Sequence, residues 1–305
     1  MKHLFILNPA AGGLKRKLAD IIRTITDAMT MECNDFDIYV TSGPMDACSH
    51  VKEAASKYSE LRVYACGGDG TLNECVNGAV GFDNVAVTHY PCGTGNDFVK
   101  MFGKHDAALF QDLIALSRGE VRKLDLIKCG DRYGINICSV GIDARIGTDV
   151  HKYSRFPLMG GAGGYIVSLA VNLAKGINQR LIVKTDGYFR LGEYSLVCAC
   201  NGRYYGGGFN PVPDALPNDG KLDFLVVKSV SGPKFIQLVG KYAKGKYRDM
   251  TDKISYFRGD CLEIHSEEDI VVNVDGEAVF AKDIEFKVVP QGINFIFPEG
   301  VDFFG

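Results

Sequence analysis

The run Gly67-Gly68-Asp69-Gly70-Thr71-Leu72-Asn73-Glu74 follows a β-branched, apolar stretch at 62–66 and leads directly into a helical pattern. Glycines at a strand-to-helix turn let backbone N–H groups approach phosphate oxygens, and the helix N-terminus adds a favourable dipole. Thr71 and Asn73 place a hydroxyl and an amide within the first helical turn. A plain tight turn capped by Asp69 or Thr71 is the simpler alternative, but two adjacent glycines followed by Asp-Gly-Thr exceed what a cap requires. The run has no Gly-Lys-Ser/Thr and no full GxGxxG spacing, so neither common nucleotide fingerprint applies. Asp69 would repel a bare phosphate, which favours a nucleotide–Mg²⁺ complex over a dinucleotide pyrophosphate.

Two more loops stand at equivalent places: Asn8-Pro9-Ala10-Ala11-Gly12-Gly13 and Pro91-Cys92-Gly93-Thr94-Gly95-Asn96-Asp97-Phe98. Strand-like runs are predicted at 4–7, 36–41, 62–66, 85–89 and 121–128. Helices are predicted at 14–29, 45–58 and 71–80, with a fourth helical region over 96–117. In the first of these, Leu14, Leu18, Ile21, Ile22 and Ile25 recur at helical spacing. Strands alternating with helices imply a parallel sheet covered on both faces, with its ligand crevice beyond the carboxyl ends of the strands. One such loop is ordinary turn chemistry; three at matching positions are harder to explain that way.

After residue 121 the pattern changes. Short strand-like runs at 180–185, 194–199, 222–227 and 270–274, separated by Gly, Pro, Asn and Asp, read as an antiparallel sandwich or barrel. An apolar helical segment at 164–175 and a basic helical one at 232–246 interrupt it. The expected organisation is an α/β domain at 1–123, a β-sandwich domain at 124–290, and a segment at 291–305 returning to the first domain. At 215–223, Asn218-Asp219-Gly220 is either a hairpin turn or a Mg²⁺ loop made of backbone carbonyls and the Asp219 carboxylate. Val274-Asp275-Gly276-Glu277 is likewise either a hairpin turn or the source of a carboxylate that takes a proton from an attacking hydroxyl.

Composition narrows the function. A chain of 305 residues suits two compact domains. A formal net charge of −3 provides no global field for nucleic acid. The ten cysteines include no CxxC pair and several lie inside apolar runs, as free core residues do. Cys198 and Cys200 are read as facing opposite sides of a strand. The short apolar run at the start does not read as a signal peptide, so the expected location is the cytoplasm. No apolar stretch reaches the ~18 residues a membrane span needs.

Taken together, GGDGTLNE at 67–74, NPAAGG at 8–13 and PCGTGNDF at 91–98 resemble the diacylglycerol kinase catalytic family. More narrowly, they resemble its soluble bacterial diacylglycerol and lipid kinases, relatives of sphingosine and ceramide kinases. The resemblance continues through VRKLDLI at 121–127, INICSVGIDA at 135–144, NDGKLD at 218–223 and NVDGE at 273–277. It implies an α/β domain like that of NAD kinases and phosphofructokinases, a β-sandwich domain, and a nucleotide held in the cleft between them. By motif match, Asn8, Thr41, Gly67, Gly68, Asp69, Gly70, Thr71, Leu72, Asn73 and Thr94 would contact ATP. A structural Mg²⁺ would take the Leu216 carbonyl, the Asp219 carboxylate and the Lys221 carbonyl, provided the Lys221 side chain points away. Asp97 and Asp125 would belong to an aspartate–water network coupled to that ion. Glu277 of the DGE motif would be the proton acceptor, with Asp69 as the competing assignment.

The expected activity is phosphoryl transfer from ATP to a lipid hydroxyl, diacylglycerol foremost, by an enzyme peripheral to the inner face of the membrane. Phosphatidylglycerol or a sphingoid base as acceptor, an NAD-kinase-like activity and a non-catalytic nucleotide-sensing module are the alternatives. Residues 164–175 suit an acyl-chain groove wall or simply core. Lys241, Lys244, Lys246 and Arg248, near Phe235 and Tyr242, suit anionic headgroups or a solvated helix face. Oligomeric state is open, a homodimer among the options.

Overall fold

The computed structural model describes residues 1–12, 17–145 and 176–301. The chain divides into two compact units, Met1–Leu126 with Pro290–Gly305, and Ile127–Val289.

In the first unit, β1 (Lys2–Leu7), β2 (Phe36–Val40), β3 (Leu61–Gly67) and β4 (Val85–Pro91) form a parallel sheet in the order β4-β3-β1-β2. The last strand, β13 (Glu277–Phe297), adds its end beside β4, pairing Asn294 with Ala86 and Phe295 with Val87 in parallel. Helices α1 (Leu18–Met31), α2 (Asp46–Lys57) and α3 (Asp69–Ala79) alternate with the strands. Every residue of β1 is buried, as a strand covered on both faces requires. The register decides where the loops emerge. Leu7 lies beside both Val40 and Cys66, and Gly67 lies beside Pro91. Four strands therefore end at one level, and their loops leave the sheet side by side.

The single helical region expected over 96–117 is instead three short helices, α4 (Asp97–Lys100), α5 (Gly103–Leu109) and α6 (Leu113–Ser117). Gly103 adopts φ +78, which ends one helical run, and the Asp112 carboxylate accepts from the Ile114 and Ala115 amides at 2.9 and 3.0 Å, which starts another.

The second unit is antiparallel. Its strands are the end of β5 (Glu120–Cys129), β6 (Arg132–Gly134), β7 (Ile137–Gly141), β8 (Gln179–Thr185), β9 (Tyr188–Cys200), β10 (Leu222–Lys228), β11 (Ile254–Gly259), β12 (Cys261–Val274) and the first part of β13. Two long strands organise it. The first half of β9 pairs with β8 and its second half with β7, while β12 also pairs first with β8 and then with β7. The sheet thus closes around one core that contains Val140, Val183, Val197, Phe224, Val272 and Phe286. A second core lies on the other face of β9, where Leu196, Cys198 and Cys200 pack with Leu225, Tyr242, Tyr247 and Met250. Cys198 and Cys200 therefore share a face, contrary to expectation, because residues two apart on a strand point the same way. The basic helical segment is α7 (Gly232–Tyr242) followed by a 3₁₀ turn (Lys246–Met250), the two separated by Gly245 at φ +67. The apolar segment at 164–175 lies outside the described residues. No described helix is long and apolar enough to cross a membrane.

A polar chain runs through the second unit beside these cores. The Cys198 thiol lies 3.2 Å from the Tyr242 hydroxyl, which lies 3.2 Å from that of Tyr205. Asp143, just after β7, accepts from the Ala144 amide at 2.7 Å. Burial pushes its carboxyl up to about 6, against the opposite pull of the Ser139 and Tyr205 hydroxyls and the Ala144 amide. A raised carboxyl favours folding while protonated. Its contribution is complete below the ordinary value of 3.8 and is lost as pH rises through about 6. Asp143→Asn should therefore be more stable than wild type at pH 7.5, by on the order of 3 kcal/mol, with the gap closing towards pH 4. Urea unfolding across that range measures it; a pH-independent gap would refute the assignment.

Candidate functional site

Within the first unit, three glycine-bearing loops meet at the carboxyl edge of the sheet. The Gly67 carbonyl accepts from the Cys92 amide at 2.8 Å and the Gly93 amide at 3.0 Å, and the His89 Nε2 lies 3.1 Å from it. The loop after β1 is tied in through the Asn8 amide, 3.1 Å from the Cys66 carbonyl, and the Asn8 side-chain amide, 3.0 Å from the Thr71 hydroxyl. Backbone meets backbone here. A Cβ on Gly12, which has φ +53, would lie 2.0 Å from the Cys92 carbonyl oxygen, and one on Gly93 would lie 2.5 Å from the Gly68 Cα. Side chains are excluded by this packing alone.

The helix α3 begins at Asp69, so the amides of Asp69, Gly70 and Thr71 have no intrahelical acceptor and face the loop cluster. That is the arrangement by which a helix N-terminus holds an anion. Asp69 ties the second loop to the third: its Oδ1 accepts from the Phe98 amide at 3.2 Å. Thr71 and Asn73 are buried beside it, and the Asn73 side-chain oxygen accepts from Asn77 at 3.1 Å. Leu72 packs its side chain fully into the core and gives its amide to the Gly68 carbonyl at 3.1 Å, so its part is packing. Thr41, buried just after β2, donates its amide to the Leu7 carbonyl at 2.9 Å. Thr94 is exposed at the tip of the third loop.

Burial holds the His89 ring below its usual range, more strongly than the Asp69 charge and the Gly67 carbonyl raise it. The ring is neutral, and its Nε2–H donates to Gly67. Of the two aspartates assigned to a shared network, Asp97 pairs with Lys100 at 2.5 Å, and Asp125 accepts from the Gln291 amide at 2.7 Å.

In the second unit, Asp219 lies in the turn before β10. Its Oδ1 accepts from the Lys221 amide at 3.0 Å, and its Oδ2 pairs with Arg258. Arg258 stands opposite Asp223 in the β10–β11 ladder, and the Tyr256 hydroxyl donates to Asp223 at 2.5 Å. Burial raises the Asp223 carboxyl, offset in part by Tyr256 and Arg258. The Lys221 side chain leaves the turn for Asp260, at 2.6 Å, so it does not obstruct its own carbonyl. A carboxylate with about four lone-pair sites has room for a cation beside these two partners. One carboxylate and two carbonyls are the donor chemistry of a hard divalent ion such as Mg²⁺.

Val274 and Glu277 pair across a two-residue hairpin whose Asp275 and Gly276 have φ +50 and +99, the Asp-Gly geometry of a type I′ turn. Glu277 is exposed, and among the described residues its carboxylate makes no hydrogen bond or ion pair. The neighbour overlooked by sequence reasoning is Asp275, whose carboxylate accepts from the Ile135, Asn136 and Ile137 amides at 2.6, 3.0 and 2.9 Å. Asn96 was missed in the same way. At φ +50, its side chain accepts from the Gly93 amide at 3.0 Å and donates to the Gly93 carbonyl at 2.8 Å, holding the third loop in shape. The signal for both was present: Asp before Gly, and Asn after Gly, are residues that tolerate positive φ and bond to nearby backbone.

Residues 2–129 match the model of the diacylglycerol kinase catalytic domain, and residues 136–297 match that of the YegS C-terminal NAD kinase beta sandwich-like domain. A "Putative lipid kinase" of Staphylococcus carnosus (strain TM300) is 23% identical over 279 residues, covering 90% of each chain. One of Staphylococcus aureus (strain MSSA476) is 25% identical over 282 residues, again covering 90% of each. Among solved structures, a "putative diacylglycerol kinase from Bacillus anthracis str. Sterne" superposes with a TM-score of 0.75 at 26% identity, over 99% of this chain and 96% of that one. With both of its units matched in order, the chain belongs to the family that joins a diacylglycerol kinase catalytic domain to a YegS-type C-terminal β-sandwich-like domain.

Proposed function

We propose that this protein is an ATP- and Mg²⁺-dependent lipid kinase that transfers the γ-phosphoryl group to a lipid hydroxyl at a membrane surface, with diacylglycerol as the acceptor. The observation that carries the reading is the convergence of three glycine loops on the N-terminus of α3, in a chain of the diacylglycerol kinase family. Free amides at Asp69, Gly70 and Thr71 bind phosphate oxygens. Asn8, Thr41, Asn73 and Thr94 border the same edge and position the nucleotide, and Gly67 and Gly68 keep the approach clear of side chains. Fixed donors of this kind stabilise the charge that develops on the transferred group. The Leu216 carbonyl, Asp219 carboxylate and Lys221 carbonyl would hold a Mg²⁺, which organises the surrounding carboxylates and waters when bound. Glu277, with a carboxylate free of described partners, takes the acceptor hydroxyl's proton, while Asp69 remains bound to the Phe98 amide and serves the nucleotide site.

The direct test is transfer of γ-phosphate from ATP, with and without Mg²⁺, to a panel of lipids in mixed micelles, with NAD as a comparison acceptor and mass identification of the product. Phosphatidic acid from diacylglycerol is the expected product; phosphorylated NAD in its place would overturn the reading.

Three variants probe the parts. A Cβ on Gly68 would already touch the Gly93 Cα at 3.5 Å, so the branches of Gly68→Val should fill the phosphate approach. Calorimetry should then show ATP binding lost, and unchanged affinity would remove the cradle. Asp219→Ala should abolish the thermal stabilisation that Mg²⁺ confers without nucleotide, ~2.7 kcal/mol at a hundredfold excess over its dissociation constant. Equal Mg²⁺ shifts in variant and wild type would leave Asp219 an ion-paired turn residue. Glu277→Gln keeps shape but cannot accept a proton, so turnover should fall ~10²–10⁴-fold with ATP affinity nearly unchanged. Asp69→Asn should lose both. Steady-state assays alongside direct ATP titration separate the two, and near-normal turnover in Glu277→Gln would move the base elsewhere.

A further inference from the structure

The register of β11 on β10 sets Arg258 directly across from Asp223. Phe257 and Phe224, the next pair along, belong to the core, so Arg258 and Asp223 share the opposite face of the ladder. From there the guanidinium reaches two carboxylates. Its Nη2 pairs with Oδ2 of Asp219, and its Nε lies 4.0 Å from Oδ1 of Asp223. Tyr256, two residues back on the same face, donates to that Oδ1 at 2.5 Å and stacks on the Tyr247 ring with centres 5.1 Å apart, which holds the outer face of β11 in place. The other cations beside the turn are committed elsewhere, Lys221 to Asp260 at 2.6 Å and Arg248 to Asp214 at 3.0 Å. The charges of Asp219 and Asp214 both act on Asp223, and Arg258 offsets them. Arg258 is therefore the positive charge around which the Asp219 turn is built.

Its contact uses the one carboxylate in the donor set of the proposed Mg²⁺ site. A guanidinium and a divalent ion on the same carboxylate repel each other and compete for its lone pairs. An exposed ion pair contributes little by itself; here one partner is also the ligand that the ion requires. We propose that Arg258 is a built-in competitor for the divalent ion at Asp219, neutralising the turn when Mg²⁺ is scarce and yielding the carboxylate as Mg²⁺ rises. The inference rests on the Mg²⁺ part of the proposed function and adds the regulation of that site. Apparent affinity is then the intrinsic one scaled by the fraction of molecules in which the carboxylate is released. Occupancy of the turn follows the free-ion level instead of staying saturated.

Mg²⁺ titration of the full chain without nucleotide, at constant ionic strength, tests it by calorimetry and thermal unfolding. Arg258→Gln should bind Mg²⁺ about tenfold more tightly than wild type. Without Mg²⁺ its melting temperature should fall by about 2–4 °C, because Asp219 and Asp223 lose their counter-charge. Saturating Mg²⁺ should close that gap, which a purely structural ion pair has no means of doing. Arg258→Lys, which keeps the charge, should lie nearer to wild type than Arg258→Gln in both measurements. Adding Asp219→Ala to Arg258→Gln should erase the Mg²⁺ response, as expected if the tightened site is the Asp219 turn. Equal Mg²⁺ affinity in wild type and Arg258→Gln, or a stability gap that Mg²⁺ leaves unchanged, overturns the competition while sparing the Mg²⁺ site. Absence of a Mg²⁺ response in wild type and Arg258→Gln alike, or one that survives Asp219→Ala, overturns the site itself and the competition with it.

Discussion

The Gly67 carbonyl receives the Cys92 amide, the Gly93 amide and the His89 ring within 3.1 Å, and the layout of the first unit's loops depends on that convergence. It draws the turn after β4 onto the turn after β3 until Gly93 and Gly68 touch backbone to backbone, while the turn after β1 closes over Cys92 through Gly12. Neither Gly12 nor Gly93 has room for a side chain at these approaches. Packing alone accounts for the glycines at positions 12 and 93. The first amides of α3, which have no intrahelical acceptor, lie beside these closed loops.

The neutral state of His89 belongs to this arrangement. A charged ring under the glycine turn would carry the full desolvation cost of a buried cation, and burial outweighs the nearby Asp69 charge. The ring acts as a donor that braces the turn. Asp69 is braced as well, because the Phe98 amide holds its carboxylate in one orientation. An aspartate that would be a liability beside phosphate as a mobile charge becomes a fixed acceptor at the edge of the cluster.

In the second unit the same economy appears at the Val274–Glu277 hairpin. Asp275 adopts positive φ for the turn and uses its carboxylate to gather three consecutive amides at 135–137. A carboxylate accepting several amides is strongly held, so the hairpin is anchored by its first turn residue. Glu277, two residues on, begins β13 from a fixed point with its side chain in solvent.

Much of this was legible in the linear chain, since the relevant forces are local. The alternation of β-branched runs with amphipathic ones places β1 to β4 and α1 to α3 within a few residues, and Gly-Gly-Asp-Gly after a strand identifies the strand-to-helix turn that opens α3, because backbone conformation and periodicity are written in consecutive residues. The Asp-Gly hairpin and the antiparallel character of the second unit were legible for the same reason. The subdivision of 96–117 was less so, because a single left-handed glycine and a capping aspartate break a pattern that hydrophobic spacing leaves continuous. Only the tertiary structure decided which groups meet across distance: that Gly67 is the shared acceptor, that Asp219 is engaged by Arg258, that Asp275 rather than Glu277 holds the hairpin, and that β9 and β12 each pair with both β7 and β8. These contacts join residues far apart in the chain. No periodicity encodes such partners; they follow from sheet register and from the volume left between packed backbones.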